Sequence, residues 1–224
     1  MKPHPHNKIA LVGLEWDVID LIESVPGITI YGFFDASPSS RMLGFRHLGN
    51  DDAWQEAKQE DSSLKIVLAL DFPSVRARLF AHYGKESLFT LISPYAYVSS
   101  RAIIGIGSII QRGVTIMPHV KVGVACKVNV NATIHHEAEV GDFCTLAPGC
   151  SVLGRVIIED EVYVGAGAII RQRCRIGRGA TIGAGAVVVK DVPPGVTVVG
   201  IPAKNIQLLH ERTSNDSSPI AQET

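Results

Sequence analysis

Long apolar runs are missing from this chain of 224 residues. No stretch of eighteen apolar residues occurs, and residues 1–7 (MKPHPHN) have no apolar region behind them, so neither a membrane-spanning helix nor a secretory signal is expected. A dominant charge is missing too. The 21 Lys and Arg nearly balance the 22 Asp and Glu, and a formal charge of -1 gives no field for broad binding to nucleic acid or an anionic membrane. Cysteine is scarce: there are four, and no two form a CxxC pair, which speaks against a disulfide framework or a structural zinc site. These absences lead us to expect a cytoplasmic protein that engages neither nucleic acid nor membrane.

What is present is a repeat. From Ile92, every sixth residue is aliphatic through Val98, Ile104, Ile110 and onward to Ile182 and Val188, seventeen positions without a slip. The residue four places after each is also restricted, to Ala, Ser, Val or Cys, from Ala96 to Ala186. A short fixed period marks a solenoid, in which each unit buries its apolar side only by stacking on its neighbours. Each hexad therefore reads as a short strand and a bend, with the aliphatic side chain inward and the small residue filling the inner corner. All four cysteines (Cys126, Cys144, Cys150, Cys174) fall on that small position and are expected to be buried space-fillers. Glycine follows the aliphatic residue at Gly105, Gly123, Gly141, Gly165, Gly177 and Gly183, where a corner with unusual dihedrals is expected.

The residues before the repeat have a different grammar. An apolar run at 8–12 ends in Gly13, a helical pattern reaches residue 24 with Val18, Ile19, Leu21 and Ile22 inward, and a second run at 28–34 ends in Asp35. A loop at 36–41, a helix near 51–60, a strand at 65–70 and a helix from Pro73 to about residue 83 follow, with Pro73 suited to a first helical turn. Residues 1–90 are thus expected to form a small Rossmann-like domain with a parallel sheet. Ligands of such sheets lie at the carboxyl ends of the strands, which singles out Gly13, Asp35 and Asp71 as candidate substrate contacts. The turn Gly13-Leu14-Glu15-Trp16 lacks the GxGxxG dinucleotide pattern. After Val188, Pro193 and Pro194 halt the ladder. One last strand at 196–199 and a helix to about residue 212 are expected to cap the sheet end, leaving 213–224 as a polar, disordered tail.

Outward positions of a solenoid demand no particular side chain, so reactive residues clustered there carry information. Ile134-His135-His136-Glu137 is such a cluster: an imidazole suited to proton transfer near neutral pH beside a carboxylate that can orient it. A coil of eighteen residues would place Gly154 over His136, leaving open volume, and would stack His119 and Arg155 below and above Glu137, keeping that carboxylate ionised.

Asn129, the segment 134–137 and Val140-Gly141-Asp142 together resemble the N-x-x-x-x-I-x-H-[DE]-x-x-I-G-D segment of the sialic acid O-acetyltransferase and bacillosamine N-acetyltransferase family of hexapeptide-repeat enzymes. Gly200-Ile201-Pro202-Ala203-Lys204 is similar to a segment of the wider superfamily, and the likeness covers roughly residues 8–206. It implies an α/β plus all-β architecture, with the Rossmann-like domain (1–90) binding a nucleotide sugar. The following left-handed parallel β-helix with its C-terminal cap (91–212) would have triangular coils of eighteen residues and form a homotrimer. It implies acetyl-CoA as co-substrate, no metal, and N-acetylation of a nucleotide-linked amino sugar for cell-surface glycan biosynthesis. His136 would be the general base and Glu137 its orienting partner; Asn129 would touch substrate. Thr145, which stands where relatives often carry a second histidine, would meet the coenzyme together with Gly154, Ala166 and Ala184. Residues 171–204 hold six basic side chains against one acid, and Lys190 and Lys204 are the candidate contacts to coenzyme phosphates. Trp16 and Asp71 depart from the family pattern and are expected to crowd or repel a nucleotide. Two alternatives stay open, O-acetylation of a sugar or sialic acid and a non-catalytic trimeric binding module; a zinc enzyme on the same helix would need three converging histidines, a spacing that His119, His135 and His136 lack.

Overall fold

The computed structural model describes residues 7–36 and 44–206. The expected helix to about residue 212 and the tail at 213–224 lie outside these residues, as does most of the loop at 36–41.

The N-terminal part is a parallel sheet of four strands, β1 (Asn7–Val12), β2 (Ile28–Phe34), β3 (His47–Gly49) and β4 (Lys65–Leu68), in the order β3-β2-β1-β4. Helix α1 (Trp16–Glu23) joins β1 to β2 and buries Val18, Ile19, Leu21 and Ile22, the stripe its apolar spacing specifies. Helices α2 (Trp54–Glu60) and α3 (Pro73–Tyr83) follow β3 and β4. The edge strand β3 was not expected; three half-buried residues carry too little pattern to read.

Seventeen two-residue strands follow, from β5 (Leu91–Ile92) to β21 (Val187–Val188), and each pairs in parallel with a strand one coil before or after it. Val128, for example, stands opposite both Ile110 and Leu146, eighteen residues away in each direction. Three sheets result, the faces of a triangular left-handed β-helix. The aliphatic position points inward as expected and is buried from Ile110 to Val188. The first coil is the exception, with Ile92 37% exposed and Val98 and Ile104 half-buried, because no coil lies beneath it. All four cysteines are buried with free thiols, in keeping with their place in the repeat.

The glycine expectation needs correction. The glycines that follow the aliphatic residue do not adopt positive φ; the corner residue two places later does, and it is often not glycine, as at His119, Glu137, Arg155 and Arg173 with φ of 60–64°. The first set is required by close stacking. A Cβ on Gly165 would lie 2.6 Å from the backbone nitrogen of Ala184 and 2.7 Å from the carbonyl of Ile182, in the coil above.

The first residue of each short strand points outward, and the three faces differ there. One face presents Tyr97, Thr115, Thr133, Ser151, Ile169 and Val187, with no charge; we call it the plain face. A second presents Ile103, Lys121, Glu139, Ile157 and Arg175, crossed by the ion pairs Lys121–Glu139 and Arg175–Glu159. The third receives the α/β domain along its first four rungs, so the outward residues Leu91, Ile109, Lys127 and Thr145 are buried, while Tyr163 and Thr181 beyond them are half-buried.

Two buried cations hold that junction. Arg76 of α3 is 1% exposed. Its guanidinium donates to the carbonyls of Leu70, Ala125, Phe143 and Cys144 and to Thr145 Oγ1 at 2.7–2.9 Å, a planar fork matched to a ladder of carbonyls. Burial lowers its pKa from the ordinary arginine value. Lys127 donates to the carbonyl of Ala69 at 3.0 Å and lies 3.2 Å from Asp17 and 2.9 Å from Asp71.

At the far end, β22 (Thr197–Val199) adds to β20 (Thr181–Ile182), and β23 (Lys204–Asn205) returns antiparallel along β22, so the last sheet ends on a two-residue edge. Among the described residues no helix is long and apolar enough to cross a membrane.

Candidate active site

The corner after β12 (Thr133–Ile134) carries His135, His136 and Glu137. Its backbone is fixed from both neighbouring coils: Glu137 N–H donates to the carbonyl of Pro118 below, and Arg155 N–H above donates to the carbonyl of His136. His136 Nδ1 lies 3.0 Å from Glu137 Oε2. A carboxylate can only accept, so Nδ1 carries a proton in this pair, and in the neutral ring Nε2 is the nitrogen with the lone pair. Arg155 donates from Nε to the same Oε2 at 3.0 Å, and its Nη2 lies 3.0 Å from that oxygen as an ion pair. The hydrogen bonds from His136 and then Arg155 hold the Glu137 pKa below the usual carboxylate value. Glu137 therefore stays ionised at neutral pH and releases these partners only on acidification. His119, one coil below in the same column, takes no part in this bonding.

Gly154 lies over the imidazole. A Cβ there would come within 2.8 Å of both Cε1 and Nε2 of His136, so only glycine leaves the ring its place. The imidazole borders a cleft of about 330 Å³ lined by His135, His136, Leu153, Gly154, Arg155, Gln172 and Arg173. Gln172 and Lys190 follow Gly154 up the same corner at steps of one coil, placing the exposed Lys190 roughly 14 Å from His136 at a strand spacing of about 4.8 Å.

Other candidate residues lie elsewhere. Ala166 and Ala184 stack on the next edge of the prism, across the plain face from His136. Asn129 sits on that same edge, 7% exposed. Lys204 is exposed on β23. Gly13 and Asp35 come together at the carboxyl ends of β1 and β2, lining a cleft of about 150 Å³ with Asp51, Leu70 and Arg78.

Two assignments are corrected. Thr145 is fully buried under the α/β domain, accepting from Arg76 and donating to the carbonyl of Asp71, so its hydroxyl has no access to a coenzyme. The Asp71 side chain turns to Lys127, away from the cleft at Gly13 and Asp35. Its Oδ1 is near enough for an ion pair but is not aligned as a hydrogen bond. Trp16, 63% exposed, does not line that cleft either, so neither residue crowds it.

Sequence reasoning passed over Arg76 and Lys127. One signal existed for the first: Arg76, Leu79 and Tyr83 share the buried face of α3, so the arginine occupies an inward position of the helix. Among the described residues, no group of three or more His, Cys, Asp or Glu side chains is placed to hold a metal ion.

Residues 155–190 match the family model "Bacterial transferase hexapeptide (six repeats)". A GDP-perosamine N-acetyltransferase of Escherichia coli is 41% identical over 130 residues, covering 56% of this chain and 58% of that protein. The chain thus spans little more than half the length of that curated relative. Among solved structures, the acetyltransferase domain of PglB from Neisseria gonorrhoeae in complex with acetyl coenzyme A is 30% identical, with a TM-score of 0.79 over 90% of this chain and all of that one. PerB from Caulobacter crescentus in complex with CoA and GDP-perosamine is 28% identical, with a TM-score of 0.79 over 88% of this chain and 96% of that one.

Proposed function

This chain belongs to the hexapeptide-repeat sugar acetyltransferases, and from that membership we propose that it moves the acetyl group of acetyl-CoA onto the amino group of a nucleotide-linked amino sugar. The observation that carries the proposal is His136, its Nδ1 held by Glu137 and its ring seated against Gly154 at the cleft. Nε2 accepts the proton of the amine as nitrogen attacks the thioester carbonyl. The tetrahedral oxyanion collapses, the carbon–sulfur bond breaks, and the imidazolium returns its proton to the departing thiolate. No covalent enzyme intermediate is required. Gly154 and Gln172 floor the groove along which the pantetheine arm lies, and Lys190 stands where the coenzyme phosphates fall. The nucleotide sits in the cleft with Gly13 and Asp35, in line with the substrates named for PerB.

The working unit in this proposal is a homotrimer in the cytoplasm, where acetyl-CoA is at hand. Two features support the assembly. The plain face carries no charge, and it is bounded by the His136 edge on one side and the Ala166–Ala184 edge on the other. Within one chain the two candidate half-sites face apart. Copies seated on their plain faces around a threefold axis bring one edge of each against the other edge of the next.

A thiol-release assay with acetyl-CoA and a panel of UDP-, dTDP-, GDP- and CMP-linked sugars tests the reading. A nucleotide-linked amino sugar is expected to turn over, and His136→Ala is expected to lower kcat by about 10² or more while acetyl-CoA affinity stays nearly unchanged. Transfer to hydroxyl acceptors alone would redirect the assignment to O-acetylation. Absence of both turnover and acetyl-CoA binding would remove it.

A further inference from the structure

We propose that Arg155 is a positioning residue that fixes the tautomer of His136 through Glu137, so that the unprotonated nitrogen is the one offered to the cleft. The inference rests on the acetyltransferase reading only for its consequence in turnover; the geometry stands apart from it.

Glu137 Oε2 accepts two hydrogen bonds at 3.0 Å, from His136 Nδ1 and from Arg155 Nε, and Arg155 Nη2 lies 3.0 Å from the same oxygen as an ion pair. All of the orientation is delivered to one oxygen, the one that faces the imidazole. Neighbouring coils enforce this arrangement. Glu137 and Arg155 are consecutive residues of one corner column, both with φ of 60°, and the Arg155 N–H is bonded to the carbonyl of His136. Coil stacking therefore sets the guanidinium above the carboxylate before any substrate arrives.

The alternative arrangement is close at hand. All three side chains are about half exposed, at 52% for His136, 46% for Glu137 and 51% for Arg155, so water competes for each of them. A carboxylate held by the imidazole alone can rotate into solvent, and a released imidazole favours the tautomer with its proton on Nε2. That form places a donor, not a base, in the cleft. Arg155 is always charged and binds a carboxylate with a rigid fork, so it resists that rotation at any working pH. The other charged or titratable groups facing His136 are His135 on its own corner, His119 one coil below and Arg173 above. None of these bonds to Glu137.

The test uses the full-length protein labelled with 15N at histidine, with the His136 signals assigned by their loss in His136→Asn. In the wild type, the neutral ring is expected as the Nδ1–H form. Arg155→Ala is expected to convert it to a mixture or to the Nε2–H form, and to lower kcat about tenfold with little change in the KM for acetyl-CoA, a modest part of what a general base contributes. Arg155→Lys, which retains a cation able to reach the same oxygen, is expected to restore most of the wild-type pattern. Signals of the other histidines report whether each variant is folded. An unchanged tautomer in folded Arg155→Ala, failure of Arg155→Lys to restore it, or an Nε2–H wild type would each overturn the proposal. If the wild type transfers no acetyl group, the acetyltransferase reading falls while the tautomer experiment still decides the role of Arg155.

Discussion

The β-helix and the α/β domain are specified in different ways. In the β-helix each rung meets a near-copy of itself eighteen residues away, so one rule for inward side chains, repeated seventeen times, builds the whole interior. In the α/β domain the strands meet as β3-β2-β1-β4, every position is used once, and the domain is completed by side chains that reach another part of the chain. The comparison teaches that repetition secures the interior and leaves the outside free. Lys127 and Thr145 occupy the same outward position as the exposed Lys121 and Glu139 of another face, yet they are buried, because only their face is covered.

The sharpest way to break this contrast is at the junction. Arg76→Ala removes a donor from five oxygens, of which the Cys144 carbonyl keeps the Lys127 N–H, and is expected to cost about 3 kcal/mol, less whatever water can recover by entering. Denaturant unfolding should then resolve into two transitions, the α/β domain melting before the β-helix. A single transition at the wild-type midpoint would mean that the junction contributes little to cooperativity.

Two glycine substitutions sharpen the comparison within the β-helix. Gly165→Ala drives a methyl into the backbone of the next coil and is expected to destabilise by about 2 kcal/mol through overpacking, read as a lower Tm. Gly154→Ala meets instead the tip of the His136 side chain, which can swing aside. Stability should change little, while kcat falls about tenfold as the ring leaves Glu137, a barrier increase of about 1.4 kcal/mol. Equal effects of the two substitutions on Tm would show that the corner at His136 is as tightly stacked as the rest.

The smallest effect is expected at the thiols. Burial pushes the Cys150 thiol up to about 12 and raises Cys144 and Cys174 as well, so these thiols stay protonated at neutral pH. A thiol reagent at pH 7 should leave all four cysteines of the native protein unmodified and react with all four after denaturation. Rapid labelling of the native protein would show that the coils open locally.

Much of this was legible in the residues. The period of six gives a parallel solenoid, its inward stripe and the buried cysteines; with the eighteen-residue coil that the family resemblance implies, the phase of Gly154 and Arg155 against His136 and Glu137 gives the corner, since stacking is arithmetic in the residue number. The errors have one cause. Thr145 is assigned to a ligand because it stands where relatives often carry a histidine, and Asp71 because it follows the carboxyl end of a sheet strand; both are consumed instead by contact between domains. Nothing periodic announces that contact. The positive φ of the corners was missed for a related reason: a side chain is tolerated there when the stacked coils fix the backbone on both sides, so glycine is not its only marker.

Composition and period by themselves determined that this chain stacks into a parallel solenoid with an aliphatic interior and a histidine–glutamate pair on its outside, because burial of a repeating apolar stripe admits few other solutions. Which outward faces are covered, which cations are buried to join the domains, and which imidazole nitrogen faces the cleft were decided only in three dimensions. Those outcomes depend on contacts between residues far apart in the chain, and such contacts leave no fixed spacing behind them.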